Sequence, residues 1–286
     1  MVEIGDSNPG PLLRTTVFCG GILCRRSAKR YPEVMLWEKT RDDLYRKWLE
    51  VKKPSAATFD GVDADGYFYV HDVDSGRVVH VSHQRRLGYY AHGVTQRLNN
   101  LAREYCIEGL ELVPSDVIVD VGAHSGELGL WAEKFGSQYL AIEPDPAAFG
   151  ALSRNLPQAK KVNCAAGKQA GRLPFYLATS TGDSSFEIAE RRKPIEVKVE
   201  TLDVLVNSFF PGGNIAILKI EAEGFEPEVL EGAREVLKRT ELVTVDAGEE
   251  RGGASTAPEC LNLLFGAGFI LKNVFLKRGI FLMARA

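Results

Sequence analysis

Long apolar runs are missing from this chain, and with them any reason to place it across a membrane. The nearest candidate is Thr15–Cys24, flanked by Arg14 and Arg25–Arg26. It spans about ten residues, roughly half of what a bilayer helix requires. No small-residue cleavage site follows it either, so it reads as a loop or short strand rather than a leader. Cysteine is also scarce. The five cysteines are an odd number and contain no CxxC pair, which argues against a disulfide framework or zinc ribbon and for reduced thiols in a cytoplasmic protein. A net charge of −3 over 286 residues leaves no electrostatic footprint for nucleic acid. Internal repeats and low-complexity blocks are absent. What remains, 45% hydrophobic and 26% charged residues, is the composition of an ordinary globular chain. Self-association is compatible with all of this.

The texture changes near residue 110. Upstream, Trp37, Leu44, Trp48 and Leu49 share one helical face. Gly66–His71 and Arg77–Val81 predict a β-hairpin, and Val94, Leu98, Leu101 and Tyr105 a second helix. Residues 1–108 are therefore expected to form an N-terminal α+β extension, with Tyr89–Gly93 and Arg97 as a lid. Residues 109–286 alternate strand and helix, which predicts an α/β domain with a mostly parallel sheet. Strands are expected at Val117–Val121, Tyr139–Glu143, Lys161–Ala165, Ile215–Ile220, Leu242–Asp246, Phe269–Phe275 and Ile280–Met283. Pro227 opens one helix whose stripe runs through Leu237. Thr256 and Glu259 have capping-box spacing for the next. Only Leu276–Gly279 separates the last two strands, too short for a crossover, so they form an antiparallel hairpin. An insertion, Gly167–Thr201, carries strand-like pieces at Leu173–Leu177 and Ile195–Val199.

Val117–Gly129 carries the strongest functional signal. An apolar run ending in Asp120 is followed by Gly122-Ala123-His124-Ser125-Gly126 and a helical pattern, hence a strand, a tight turn and a helix. Glycines there let backbone approach a ligand where helix N–H groups converge. About twenty residues on, Glu143 ends a second strand, the usual position of a ribose-holding acid, with Pro144 next to it. The pair predicts a nucleoside-containing cofactor. A pyrophosphate would need a bare glycine where His124 stands. S-adenosylmethionine has no pyrophosphate, and a seven-stranded sheet ending in a hairpin is the Rossmann-like arrangement of methyltransferases that use it. Ala165 and Ala166 are small enough to lie against an adenine.

Several segments resemble the FkbM-type methyltransferases from about Pro114 to the C-terminus. They are Val119–Gly126, Ile142–Asp145, Asn163–Gly167 with its inserted strand pair, Val199–Asp203 and Leu218–Glu226. The last is similar to the family's Lys-x-Asp-x-Glu-Gly signature, with Glu221 standing where the family usually has Asp. The resemblance implies methyl transfer from S-adenosylmethionine, most often to a hydroxyl of a sugar or natural-product intermediate.

In-line methyl displacement asks mainly for alignment, with a general base assisting a weakly acidic hydroxyl. The candidates are Glu221, facing the methionine end of the cofactor or the acceptor hydroxyl, then Glu223 and His92. Positions 221 and 223 share a side if the strand continues that far, and Glu223 has two structural alternatives, orienting Lys219 or capping the helix at Pro227. Glu221, Glu223 and Asp246 holding Mg²⁺ is a less favoured arrangement. Asp183–Ser185 is a candidate acceptor contact. Three other readings stay open: N-methyl transfer, an NAD-linked oxidoreductase, and a non-catalytic interaction protein.

Overall fold

The computed structural model describes residues 57–73, 75–177 and 194–286. These belong to one compact unit, Val51–Ala286. The Thr15–Cys24 segment, the Trp37–Leu49 helix and Asp183–Ser185 lie outside the described residues.

A seven-stranded sheet forms the centre. In chain order its strands are β4 (Val117–Val121), β5 (Gln138–Ile142), β6 (Lys160–Val162), β10 (Ile215–Ile220), β11 (Thr240–Asp246), β12 (Phe269–Phe275) and β13 (Ile280–Arg285). Their spatial order is β12-β13-β11-β10-β4-β5-β6. β6, β5, β4, β10 and β11 run parallel, while β13 is antiparallel to both β11 and β12. The expected terminal hairpin is present.

Side-chain alternation along β4 explains why both sheet faces must be covered. Val117, Val119 and Val121 point into one core with Leu140 and Ile142 of β5, and the helices Leu202–Phe209 and Ala257–Gly266 cover it. Ile118 points the other way, into a core shared with Tyr139 and Ala141. That core also contains Leu98 and Leu101 of the helix Val94–Glu104, Trp131, and Val70 and Val79 of the upstream hairpin. The upstream elements are β1 (Ala57–Val62), β2 (Phe68–Asp72) and β3 (Val78–Val81), an antiparallel three-stranded sheet. Among the described residues no helix is long and apolar enough to cross a membrane.

Three local expectations are corrected. The strand expected at Lys161–Ala165 breaks at Asn163, whose side-chain amide donates to the carbonyls of Glu143 and Pro144 at 2.8 and 3.2 Å. Past it, β7 (Ala165–Ala166) leaves the main sheet and joins β8 (Gly171–Phe175) and β9 (Ile195–Glu200). The single helix expected after Pro227 is two, Glu226–Glu231 and Arg234–Lys238. Gly232 lies between them, and a Cβ there would meet the Gly167 carbonyl oxygen at 2.0 Å. Asp203 starts the second helix from outside, accepting the N–H groups of Glu235 and Val236. Finally, Thr256 does not form a capping box. Its hydroxyl donates to Glu226 at 2.8 Å instead.

Candidate active site

The turn after β4 is left-handed at Gly122, His124 and Gly126, with φ of 72°, 47° and 82°. A Cβ on Gly122 would fall 1.9 Å from the backbone oxygen of Glu221. The chain leaving β10 thus by itself requires bare backbone at Gly122. Gly126 is favoured by its left-handed φ, with the movable end of the Leu156 side chain 2.8 Å from its would-be Cβ. His124, a non-glycine in this conformation, is held by its own N–H, which donates to Glu143 at 2.7 Å. The second Glu143 oxygen accepts the Asp145 N–H at 2.7 Å. Glu143 is buried, and burial pushes its pKa up to about 7 despite these two amides.

Around Glu143 lies a cavity of about 630 Å³ lined by Val121, Ile142, Pro144, Ala165, Ala166 and Phe175 among others. Small apolar side chains with one carboxylate at the end of β5 suit a purine and a ribose diol. The residues present therefore fit the nucleoside part of S-adenosylmethionine. Ser125 is fully buried, and its hydroxyl lies 3.1 Å from His124 Nδ1. Ala123 lines a second, larger cleft of about 1190 Å³. The two clefts share Arg86, Gly122, His124, Glu221 and Glu223.

The second cleft is polar, and its charges are mostly paired. Lys219, with its side chain 4% exposed, lies 3.0 Å from Asp120 and 3.2 Å from Glu221. Its ammonium also donates to the carbonyls of Val121 and Gly122. Asp120 accepts the Tyr139 hydroxyl at 2.6 Å, so it organises the turn from behind. Glu221 accepts from the Tyr105 hydroxyl and, at 2.6 Å, from Arg278. Burial opposes its ionisation, yet Lys219 and Arg278 hold its pKa well below the usual range. Glu221 is consequently a poor proton acceptor. Arg278 also pairs with Asp246 and with Glu104. This places a guanidinium between Glu221 and Asp246, where the sequence allowed a shared Mg²⁺.

Glu223 stands on the wall between the clefts, but β10 ends at Ile220 and Glu223 is left-handed at φ 51°. The strand alternation expected to relate it to Glu221 does not reach it. Glu226 accepts the N–H groups of Ala222 and Gly224 at 2.9 and 3.0 Å. His92 is exposed and lines neither cleft. Of the expected lid, Tyr89 and Arg97 do reach the polar cleft. Arg97 stacks on Tyr89 at 4.7 Å and binds both oxygens of buried Glu127 at 3.0 and 2.7 Å.

Sequence reading missed Tyr105, Arg278 and Glu250, all on the polar cleft. For Arg278 a signal existed. The hairpin connection must lie beside the end of β11, because Asp246 pairs with Ile280. Glu250 had no comparable mark.

Comparison with known proteins places this geometry. Residues 120–271, just over half of the chain, match the methyltransferase FkbM domain. The methyltransferase sdnD of Sordaria araneosa is 27% identical over 225 residues, covering 64% of this chain and 86% of that protein. The 2-O-methyltransferase NoeI of Sinorhizobium fredii is 23% identical, over 59% of this chain and 79% of its own length. The 31-O-demethyl-FK506 methyltransferase FkbM of Streptomyces tacrolimicus is 42% identical over a shorter stretch, 26% of this chain and 32% of that one. The crystal structure of a methyltransferase FkbM from Methylobacillus flagellatus gives a TM-score of 0.46 at 21% identity, over 64% of this chain. The chain spans 47% of that protein's length. With the domain match covering the turn, the β10 signature and the start of the hairpin, this chain belongs to the FkbM family of S-adenosylmethionine-dependent methyltransferases.

Proposed function

We propose that the protein methylates a hydroxyl group of a small molecule, such as a sugar or a natural-product intermediate. The observation that carries this reading is the pair of adjoining clefts. One is the smaller, with an apolar floor of Val121, Ile142, Ala165, Ala166 and Phe175 beside the Glu143 carboxylate; the other is wide and polar, and they meet at Arg86, Gly122, His124, Glu221 and Glu223. A cofactor in the first would present its methyl group to an acceptor in the second. Two relatives, a 2-O-methyltransferase and a 31-O-demethyl-FK506 methyltransferase, favour oxygen as the acceptor atom.

Glu143, Pro144, Ala165 and Ala166 are the residues proposed to hold the nucleoside, with the His124 and Ser125 turn beside it. When bound, S-adenosylmethionine supplies a methyl group activated by its sulfonium. The protein's share is alignment and local charge. Glu221, ionised and fixed between Lys219, Arg278 and Tyr105, is a positioning residue that holds these groups in place where the two clefts meet. Arg86, Tyr89 and Arg97 form part of the wall of the polar cleft.

The test is turnover of S-adenosylmethionine with a panel of methyl glycosides, macrolides and amino sugars. Products are read by mass and by the carbon shift of a ¹³C-labelled methyl group. An O-methyl product is expected. Turnover only on amines, with an N-methyl signal, overturns the reading.

A further inference from the structure

We propose that Glu250 is the general base of the transfer, its carboxylate accepting the proton of the acceptor hydroxyl. The proposal rests on the O-methyl reading above.

A base for a weakly acidic hydroxyl needs a place in the acceptor cleft, an uncommitted lone pair and a proton affinity near the working pH. Most acids of the polar cleft fail the second condition. Glu127 is engaged by Arg97 and Tyr90, Asp120 by Lys219 and Tyr139, and Glu221 by Lys219, Arg278 and Tyr105. Glu104 is paired with Arg278. Glu127 and Glu221 are moreover held as anions by these partners and have little tendency to take a proton. Glu250 differs. It forms part of the cleft wall, and its Oε2 is buried with no hydrogen-bond partner among the described residues.

Its position is fixed by neighbours. The next residue, Arg251, donates Nε to the Gly224 carbonyl at 2.6 Å and pairs with Glu228. Gly224, at φ 93°, comes so close that a Cβ would lie 3.2 Å from the Glu250 carbonyl carbon. The glycine of the β10 signature therefore also seats the loop that presents Glu250. Facing this carboxylate are Asp246 at the end of β11, Glu221 after β10, Glu226 at the head of its helix and Arg278 in the hairpin turn. Burial and the three carboxylates push its pKa up to about 8, with Arg278 opposing them.

In the step itself, the hydroxyl proton passes to Glu250 while the acceptor oxygen forms its bond to the methyl carbon. The carbon–sulfur bond breaks and its electron pair stays on sulfur. The products are the methyl ether, S-adenosylhomocysteine and a protonated Glu250, which releases its proton to solvent.

Two measurements test this. In protein labelled with ¹³C at the glutamate side-chain carboxyl, one resonance should titrate near pH 8 and be missing from Glu250→Gln. No such resonance, or its persistence in Glu250→Gln, overturns the proposal. Kinetics use the hydroxylated acceptor that the panel identifies. Glu250→Gln should lower kcat about 10²–10⁴-fold, leave the acceptor KM unchanged and abolish the rise in rate through pH 8. Calorimetry with S-adenosylhomocysteine should give the same Kd as wild type, which shows an intact fold. Glu250→Asp should recover part of the rate. Unchanged kcat in Glu250→Gln, or the loss appearing in Glu223→Gln instead, refutes the assignment but leaves O-methyl transfer standing. An N-methyl product removes both.

Discussion

Replacing Arg97 with methionine tests how the helix Val94–Glu104 is tied to the cofactor turn. Arg97 grips Glu127, the first residue of the helix that follows the turn, and the Glu127 side chain is only 7% exposed. Tyr90 donates to the same carboxylate at 2.5 Å. Burial alone would raise the Glu127 pKa, but Arg97 outweighs it and holds the value at about 2 against an ordinary 4.5. At about 1.4 kcal/mol per pKa unit, that difference corresponds to roughly 3 kcal/mol of stability at neutral pH. Removing one partner of a buried pair typically costs about 3–5 kcal/mol, in agreement. Arg97→Met is therefore expected to lose about 3 kcal/mol in urea unfolding at pH 7, or roughly 6–12 °C in Tm for a domain of this size. The sign of the pH dependence is fixed. A carboxylate with a lowered folded pKa contributes fully above 4.5 and loses that contribution as pH falls towards 2. The gap between wild type and Arg97→Met must narrow over that window. Arg97→Met/Glu127→Gln, which removes the orphaned charge and keeps an acceptor for Tyr90, should recover more than half of the loss. A loss below about 1 kcal/mol, or a gap independent of pH, would refute the reasoning.

Other residues give sharper tests of the site. If ionised Glu143 holds the ribose, affinity for S-adenosylhomocysteine should rise as pH passes about 7; Glu143→Gln should flatten this dependence and weaken binding at least about tenfold by calorimetry. Gly122→Ala drives a methyl group into the Glu221 carbonyl at 1.9 Å. It should give either an unstable protein or one without measurable cofactor binding, and a wild-type Kd would sink the account of that contact. Glu221→Gln leaves Lys219 with Asp120 alone among carboxylates. It should lower stability by about 1–3 kcal/mol and lower kcat with little change in acceptor KM, read from denaturation and steady-state rates.

The sheet was legible because its strands are short β-branched runs whose two buried faces leave little ambiguity. Val117–Val121 and Ile215–Ile220 fall on the expected residues. The errors came where side chains from elsewhere intervene. Asn163 ends a strand by satisfying carbonyls across the edge, and Asp203 starts a helix thirty residues later in the chain. Neither event leaves a local periodic trace. The cofactor half of the site was readable because one turn and one following acid build it. Acceptor-side charges come from six segments, Arg86–Arg97, Glu104–Tyr105, Asp120–Glu127, Lys219–Glu223, Glu250 and Arg278. Spacing in sequence carries no record of such convergence.

Gly122 and Gly224 have a consequence for how such chains diverge. Each is demanded by a neighbouring stretch of backbone, Gly122 by the exit of β10 and Gly224 by the loop bearing Glu250. A descendant that stopped methylating would still need both to fold. Glu143 and Glu250, whose unusual proton affinities are a burden to the folded state, would be free to drift first. In a lineage where the glycines persist and those two carboxylates are replaced, the architecture has outlived the reaction.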